Sequence, residues 1–336
     1  MGLVGRYLTL RVWGTVSDVA VQRRELKFKK PGIDKFFHLV VTAGALFSLL
    51  ILGLIAVFLF FRGFQIFKDM GLSFITGSLW EGTGAPGEPT TYGIAPMLVG
   101  SIVLSLVAVV IALPLSVAAA LFIEFYTVPR LKKFLISILD LAAAIPSIIF
   151  GLWGFYILAP RATEWAISLN NLFGWFPLFH VPAPFFDGSP FIGGMLLAVM
   201  IAPIITSVAR EVFSQTPPDQ ISAAHALGGR KWAAIRYVAL PFGRSGIIGG
   251  AMLGLGRALG ETVAIYLVVN IVFEMNLNIL FTGSGNIASM IALKFGEASQ
   301  YEVKALLASG FVLFALTLVV NMFATYIVNL SKRKNA

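Results

Sequence analysis

The segment that decides the fold lies at residues 246–272 and reads GIIGGAMLGLGRALGETVAIYLVVNIV. It is apolar and long enough to cross roughly 30 Å of hydrocarbon as one helix, yet it contains Arg257 and Glu261. A charged side chain at the bilayer centre costs about 2.5–3.5 kcal/mol, and such residues usually face a polar cavity. Because residues four apart share one face of a helix, we expect the two side chains to reach each other and line a path for a polar solute. A structural ion pair that locks two helices is the competing interpretation.

The composition extends this interpretation to the whole chain. Hydrophobic residues make up 58% of the 336 residues and charged residues only 12%, with a mean hydropathy of +0.87. These values exclude a soluble globular protein and predict an all-α integral membrane protein with six transmembrane helices. The predicted spans are Phe36 to Phe61, Ile94 to Ile123, Phe134 to Leu158, Phe191 to Val212, Ser245 to Val272 and Val303 to Leu330. An even number of spans places both termini on the same side.

Basic residues predict which side this is. Most of them fall in the N-terminal arm, the 130–133 connection, the loop before the fifth span and the C-terminal tail, whereas the opposite loops have few. By the positive-inside rule, both termini lie in the cytoplasm. The basic residues on the predicted cytoplasmic side are Arg6, Arg11, Arg23, Arg24, Lys27, Lys29, Lys30, Lys35, Arg130, Lys132, Lys133, Arg210, Arg230, Lys231, Arg236, Arg244, Lys332, Arg333 and Lys334. Topology and anionic membrane lipids therefore account for the net charge of +9, and no nucleic-acid partner is expected.

The sequence is expected to divide into two regions, an N-terminal arm and a transmembrane domain. Residues 1–32 form a basic cytoplasmic arm that either lies on the membrane surface or is solvated, and residues 33–336 form the six-helix transmembrane domain. The first apolar run is too long for a cleaved signal peptide, so we expect the first span to be retained. The chain has no cysteine and its three histidines have no ligand spacing, so neither disulfides nor a metal site is expected.

A cytoplasmic loop at about 211–243 is predicted to form a helix, a glycine corner and a second helix. Residues 221–227 are small and helical, and Gly228 and Gly229 end them as a C-terminal cap. A second helical stretch then runs to Leu240 and Pro241, where proline is expected to end it. The loop therefore contains a short helix outside the membrane.

Glycines recur at helical spacing in the fifth span, at Gly246, Gly250 and Gly254 and again at Gly256 and Gly260. Such spacing lets helix backbones approach closely. The glycine spacing serves either close packing alone or the sliding of helices between an inward-open and an outward-open state. The sequence is compatible with both. Gly254, Gly256 and Gly260 also approximate a dinucleotide fingerprint, but the final spacing is wrong and no strand precedes them. No phosphate-binding Gly-x-x-x-x-Gly-Lys-Ser/Thr loop occurs, so this chain is not expected to hydrolyse ATP.

The loop residues resemble the coupling motif of ABC importer permeases. The positions that carry the resemblance are Ser222, Ala223, Ala224, Gly228, Leu240 and Pro241. In that family the short helix docks on a separate ATPase subunit and passes its movement to the spans. Ser222 stands where the family most often has glutamate, which puts a carboxylate contact with the ATPase in doubt but not the docking.

The stretch 254–262, GLGRALGET, resembles the signature of the PstC family of phosphate-specific transport permeases. The stretches 144–154, 210–213 and 295–298 agree, and the resemblance covers about residues 34–331. It implies a type I ABC importer permease (MetI-like) fold in a bacterial plasma (inner) membrane. The implied partners are inorganic phosphate, a second permease PstA, two copies of the ATPase PstB and the phosphate-binding protein PstS, which is periplasmic or lipid-anchored. ATP and Mg would be used by PstB, with no cofactor bound by this chain.

Residue chemistry supports an oxyanion as the solute. The guanidinium of Arg257 is a planar, permanently charged fork of donors matched to oxyanions. An arginine alone does not distinguish phosphate from molybdate or sulfate, so a permease for another oxyanion stays open. An ion-coupled secondary transporter is a further alternative, but it leaves the cytoplasmic loop unexplained. A membrane scaffold for phosphate signalling, which would tolerate loss of Arg257, is the third.

Overall fold

The computed structural model describes residues 32–82 and 90–333. Residues 1–31, which make up nearly all of the predicted basic arm, lie outside the described residues. Contacts divide the chain into two units, residues 1–53 and residues 54–336. In the first unit, residues 34–53 belong to a helix that is exposed along its length. A helix that is apolar on all sides and exposed is suited to a lipid environment.

The described chain is mostly helical, with one short β-hairpin. The helices are α1 (Gly32–Met70), α2 (Ser73–Thr76), α3 (Ala95–Leu121), α4 (Pro129–Ala144), α5 (Ser147–Trp153), α6 (Ala159–Phe173), α7 (Pro190–Ser214), α8 (Pro218–Ala226), α9 (Lys231–Ala234), α10 (Leu240–Leu259), α11 (Val263–Val268), α12 (Ile287–Lys294) and α13 (Gln300–Arg333). Strands β1 (Trp80–Glu81) and β2 (Thr91–Tyr92) pair antiparallel, with Trp80 opposite Tyr92. Short π-helical turns at Phe122–Tyr126, Gly154–Leu158 and Ile235–Ala239 extend or join these helices.

Five of the described helices are long and apolar enough to cross a membrane, and a bent pair makes up to six. The predicted second, fourth and sixth spans correspond to α3, α7 and α13. The third span was predicted over Phe134 to Leu158, and the structure divides this stretch between two helices that can count as one bent span. The chain bends by 92° between α4 and the helix that starts at Ser147. Pro146 lacks a backbone N–H and forces Ile145 into an extended conformation (φ −63°, ψ 130°), so the helix cannot continue through this point.

The fifth span also differs from its prediction, at both ends. Its helix starts at Lys231 in the loop and runs to Leu259 without interruption at Pro241. The π-helical turn that ends at Ala239 supplies the wider turn in which the missing proline N–H is tolerated. At the other end the helix stops at Leu259, and a separate short helix, α11, begins at Val263. The predicted single helix to Val272 is therefore broken at residues 260–262.

The main hydrophobic core lies where α3, α7, α10 and α11 meet. Buried side chains from each of these helices fill it, among them Leu104, Leu196, Ile201, Ala258 and Ile265. The Oγ of Ser116 on α3 donates to the carbonyl of Ala202 on α7 at 3.1 Å. This core fixes the C-terminal end of α10, which carries Arg257.

A second core joins the β-hairpin to α12 and α13. It contains Phe74, Tyr92, Ile94, Met290 and Leu306. The Nε1 of Trp80 donates to the Oε1 of Glu302 at 2.7 Å, which ties the hairpin to the start of α13.

Candidate translocation site and coupling loop

Arg257 lies in the last turn of α10, beside the break in the fifth span. Its side chain is partly buried, and its Nε is buried with no hydrogen-bond partner in the part of the chain that the structure describes. A buried guanidinium N–H without an acceptor is uncommon, because the unmade hydrogen bond costs free energy. The described residues therefore leave one guanidinium donor of Arg257 unpaired.

Glu261 lies within the break and is 8% exposed. Its Oε1 accepts from the backbone N–H of Ala264 at 3.4 Å, in the first turn of α11. In the described chain Glu261 forms no ion pair with Arg257 within 4.0 Å. The prediction that their side chains contact each other is therefore wrong for this structure. The backbone tightens where α10 ends, because the N–H of Glu261 bonds to Ala258 rather than Arg257. The two residues are therefore not one helical turn apart on a continuous helix.

Asn286 holds the break from outside the fifth span. This residue is 1% exposed, and its Nδ2 donates to the backbone carbonyl of Glu261 at 2.6 Å. Its Oδ1 accepts from the N–H of Ser289 at 2.8 Å, and the Ser289 Oγ accepts in return from the Asn286 N–H at 3.3 Å. These two bonds form a capping box at the start of α12. Asn286 was not among the predicted site residues, although Asn directly before an apolar run is a helix-start signal.

The segment before α12 is also fixed against α3. The backbone N–H of Ile287 donates to the Oγ of Ser101 at 3.0 Å. Gly100 lies so close to the carbonyl of Gly285 that no Cβ could be added there without a shift of the backbone. Residues 285–287 are thus anchored to α3 on one side and to Glu261 on the other.

Three of the predicted packing glycines face α7. A Cβ at Gly246 would lie 2.6 Å from the Val212 Cβ, and one at Gly254 would lie 2.8 Å from the Ile205 Cδ1. Gly250 lies between them, 3.3 Å from the Ile205 carbonyl by the same measure. The pairing runs in opposite directions along the two helices, so α7 and α10 are antiparallel. Among the described residues, a Cβ at Gly256 would meet no atom within 4 Å, and one at Gly260 would meet only backbone oxygens of the preceding turn.

The loop helix α8 ends in a Schellman motif. The N–H of Gly228 bonds to the carbonyl of His225 at 2.9 Å, and the N–H of Gly229 bonds to that of Ala224 at 3.0 Å. Gly228 has a backbone φ of +81°, a conformation that residues other than glycine and asparagine rarely adopt. The helix buries none of its residues, and Leu227 at its end is 90% exposed. Ser222, Ala223 and Ala224 lie on this helix.

Contacts from the loop reach α3 and α7. Leu240 packs against the cluster of Ala120, Ala209 and Phe213, whereas Pro241 is exposed. The Nζ of Lys231 lies 4.9 Å from the centre of the Tyr126 ring. The second half of the loop is therefore packed against the spans, while α8 projects from them.

Comparison with known proteins agrees with this arrangement. Residues 112–334 match the family model described as "Binding-protein-dependent transport system inner membrane component". A crystal structure of a bacterial ABC transporter involved in the import of the polysaccharide alginate aligns over 88% of this chain and 98% of its own, with a TM-score of 0.50 and 14% identity. At this identity the likeness shows the fold alone, a type I ABC importer permease fold.

Two curated relatives are much more similar in sequence. The phosphate transport system permease protein PstC of Mycobacterium leprae is 42% identical over 272 residues, which is 80% of this chain and 85% of the relative. PstC 2 of Mycobacterium tuberculosis is 38% identical over 87% of this chain and 90% of its own length. The chain therefore belongs to the family of inner membrane components of binding-protein-dependent transport systems, and within it to the PstC permeases.

Proposed function

We propose that this chain is the membrane-spanning permease subunit of an ATP-driven phosphate importer, in which it forms half of the translocation path for inorganic phosphate. The observation that carries the proposal is the Nε of Arg257, which is buried at the end of α10 and has no hydrogen-bond partner among the described residues. The relatives at 38–42% identity bear the name phosphate transport system permease. Together they favour a phosphate dianion or monoanion as the group that Arg257 meets.

The chemistry at the break suits a transient anion site. Arg257 has no ion pair with Glu261 in the described chain, so its guanidinium does not have to be freed from a carboxylate before it binds an oxyanion. The negative charge of Glu261, which follows closely along the chain, opposes long retention of the anion. Transport requires binding that is strong enough for entry and weak enough for release.

The exposed α8 is proposed as the docking element for the ATPase. Its small residues and the exposed Leu227 offer a shallow apolar surface, and the Schellman motif gives it a fixed end. The helix from Lys231 to Leu259 has 29 residues and would span about 43 Å at the usual helical rise. Because this helix continues from the loop to Arg257, a displacement at α8 can be passed along it to the anion site.

The full transporter is proposed to contain this chain and a second permease PstA, two copies of the ATPase PstB, and the binding protein PstS, which delivers phosphate outside the membrane. This chain would lack an ATPase site, and ATP and Mg would be bound by PstB. Both termini and α8 would lie in the cytoplasm of a bacterium, with membrane lipids around the spans. ATP binding would close the ATPase dimer and move α8, and hydrolysis would reset it.

Uptake measurements test this proposal. Radiolabelled phosphate uptake is measured in cells that carry the wild-type chain, with excess sulfate or molybdate as competitor, and again with an ATPase partner unable to hydrolyse ATP. We expect uptake that neither competitor reduces and that is lost with the inactive ATPase. Competition by molybdate or sulfate would assign a different oxyanion. Uptake that continues without ATP hydrolysis would favour an ion-coupled transporter.

A further inference from the structure

The break at residues 260–262 has a hydrogen-bonded support that lies outside the fifth span. The carbonyl of Glu261 lies past the last turn of α10, where intrahelical partners run out. It is paired instead with the Nδ2 of Asn286, at 2.6 Å and with both residues buried. This bond joins positions 25 residues apart in sequence.

We propose that Asn286 is a positioning residue of the transport path, which holds the break so that the Glu261 carboxylate and the end of α10 keep a fixed relation to α12 and α3. This inference rests on the proposed function, because it assumes that Arg257 and Glu261 line the path. Asn286 touches Glu261 only through the backbone and therefore acts on the solute through another residue.

The side-chain amide performs two separate tasks with its two ends. The Oδ1 caps α12 through Ser289, and the Nδ2 binds the break through Glu261. A residue needed only as a helix cap could equally be Ser or Asp, which rank with Asn at this position. The amide of Asn286 carries its acceptor and its donor on two separate atoms, which cap α12 and reach the Glu261 carbonyl at the same time, whereas a serine hydroxyl would have to do both from one oxygen.

The surrounding contacts make this support rigid. The N–H of Ile287 is bound by Ser101 of α3, whose Oγ in turn donates to Met97 at 2.7 Å. Gly100 and Gly285 bring the two backbones together at the same level. Movement of α12 relative to α3 is therefore restricted, and Asn286 passes this restriction to Glu261.

The chemistry of the two tasks gives a matched set of variants. Asn286→Ser keeps a neutral cap and removes the amide donor. Asn286→Asp keeps the cap and places a carboxylate oxygen against the Glu261 carbonyl. Ser289→Ala weakens the capping box without a direct change at Glu261. We expect phosphate uptake per assembled transporter to fall by about tenfold in Asn286→Ser, since a buried acceptor loses its partner. A larger loss is expected in Asn286→Asp, and at least half of the uptake should remain in Ser289→Ala.

A second measurement does not depend on transport. The chain has no cysteine, so a Thr262→Cys background provides a single thiol within the break. The assembled transporter in lipid nanodiscs is treated with N-ethylmaleimide, and the modification rate is compared among the variants. We expect Asn286→Ser to raise this rate several-fold and Ser289→Ala to leave it unchanged.

Equal effects of Asn286→Ser and Ser289→Ala on uptake and on the labelling rate would overturn the proposal and make Asn286 only a helix cap. An unchanged labelling rate in Asn286→Ser would also overturn it. If the wild type were to carry another oxyanion in place of phosphate, the proposed substrate would fail. The labelling comparison would still decide the role of Asn286.

Discussion

Gly246 of α10 and Val212 of α7 pack so closely that a Cβ atom at Gly246 would lie 2.6 Å from the Val212 Cβ. Valine is branched at Cβ and has few rotamers, so it cannot turn away. We expect Gly246→Ala to separate α7 from α10 and to destabilise the transporter by about 1–3 kcal/mol, as overpacked cores do. A lower thermal midpoint of the assembled complex would show this.

Gly256→Ala is the matched control on the same helix. A methyl group at Gly256 meets no atom of the described chain within 4 Å, and alanine favours a helix over glycine by up to about 1 kcal/mol. Its thermal midpoint should therefore equal or exceed that of the wild type. A loss of stability as large as that of Gly246→Ala would contradict the packing account.

The loop corner at Gly228 offers a test of conformation without a steric clash. A Cβ there would meet no atom within 4 Å, but its φ of +81° disfavours β-branched residues. We expect Gly228→Val to strain the end of α8 by about 1–2 kcal/mol, whereas Gly228→Asn should be tolerated. The measurement is phosphate-dependent ATP hydrolysis by the assembled transporter, which should fall only in the valine variant. Equal activity of the two variants would mean that the corner is not needed for coupling.

An ion pair supports the segment next to the loop. The Nζ of Lys132 lies 2.7 Å from the Oε1 of Glu124, and the two side chains are 28% and 12% exposed. The Glu124 Oε2 is buried and has no hydrogen-bond partner within residues 32–82 and 90–333. We expect Lys132→Met to leave a mostly buried carboxylate unpaired and to cost about 1–3 kcal/mol. Thermal denaturation checks this, and the exposed neighbour Lys133, changed to Met, should alter the midpoint little.

Two substitutions test the shape of the Arg257 guanidinium separately from its positive charge. Arg257→Lys keeps the positive charge but loses the planar fork, and Arg257→Gln loses both. We expect uptake per assembled transporter to fall by about tenfold or more in the lysine variant, because lysine is not equivalent to arginine at an oxyanion site. Uptake in the glutamine variant should be close to background. Full uptake in the glutamine variant would make Arg257 a structural residue.

Long apolar runs made most of the fold predictable. The prediction of an all-helical, multi-pass permease is confirmed by the helices and by the family match. Runs such as those of α3 and α7 have no other stable state in a bilayer, because only helices and closed barrels satisfy the backbone there. The bend at Pro146 and the passage of the helix through Pro241 were not predictable in the same way. Pro114 and Pro203 lie inside α3 and α7, so the presence of a proline does not by itself tell where a helix ends.

The break beside Arg257 was hidden for a different reason. The apolar pattern of the sequence predicts a helix that continues through Gly260. On such a helix, Glu261 would lie one turn after Arg257. The break is stabilised by Asn286, a residue 25 positions away in sequence. Tertiary hydrogen bonds of this kind leave no periodic signal, so the sequence pointed to the two charged residues but not to their arrangement.

The exposure of α8 has a consequence for biosynthesis. A helix of nine residues is marginal in water without a partner, and Leu227, Trp232 and Tyr237 present large apolar surfaces around it. Apolar surface of this kind invites aggregation and recognition by chaperones and proteases. We therefore expect cells that make this chain without its ATPase to degrade it faster than cells that make both, so that the supply of one subunit sets the abundance of the other.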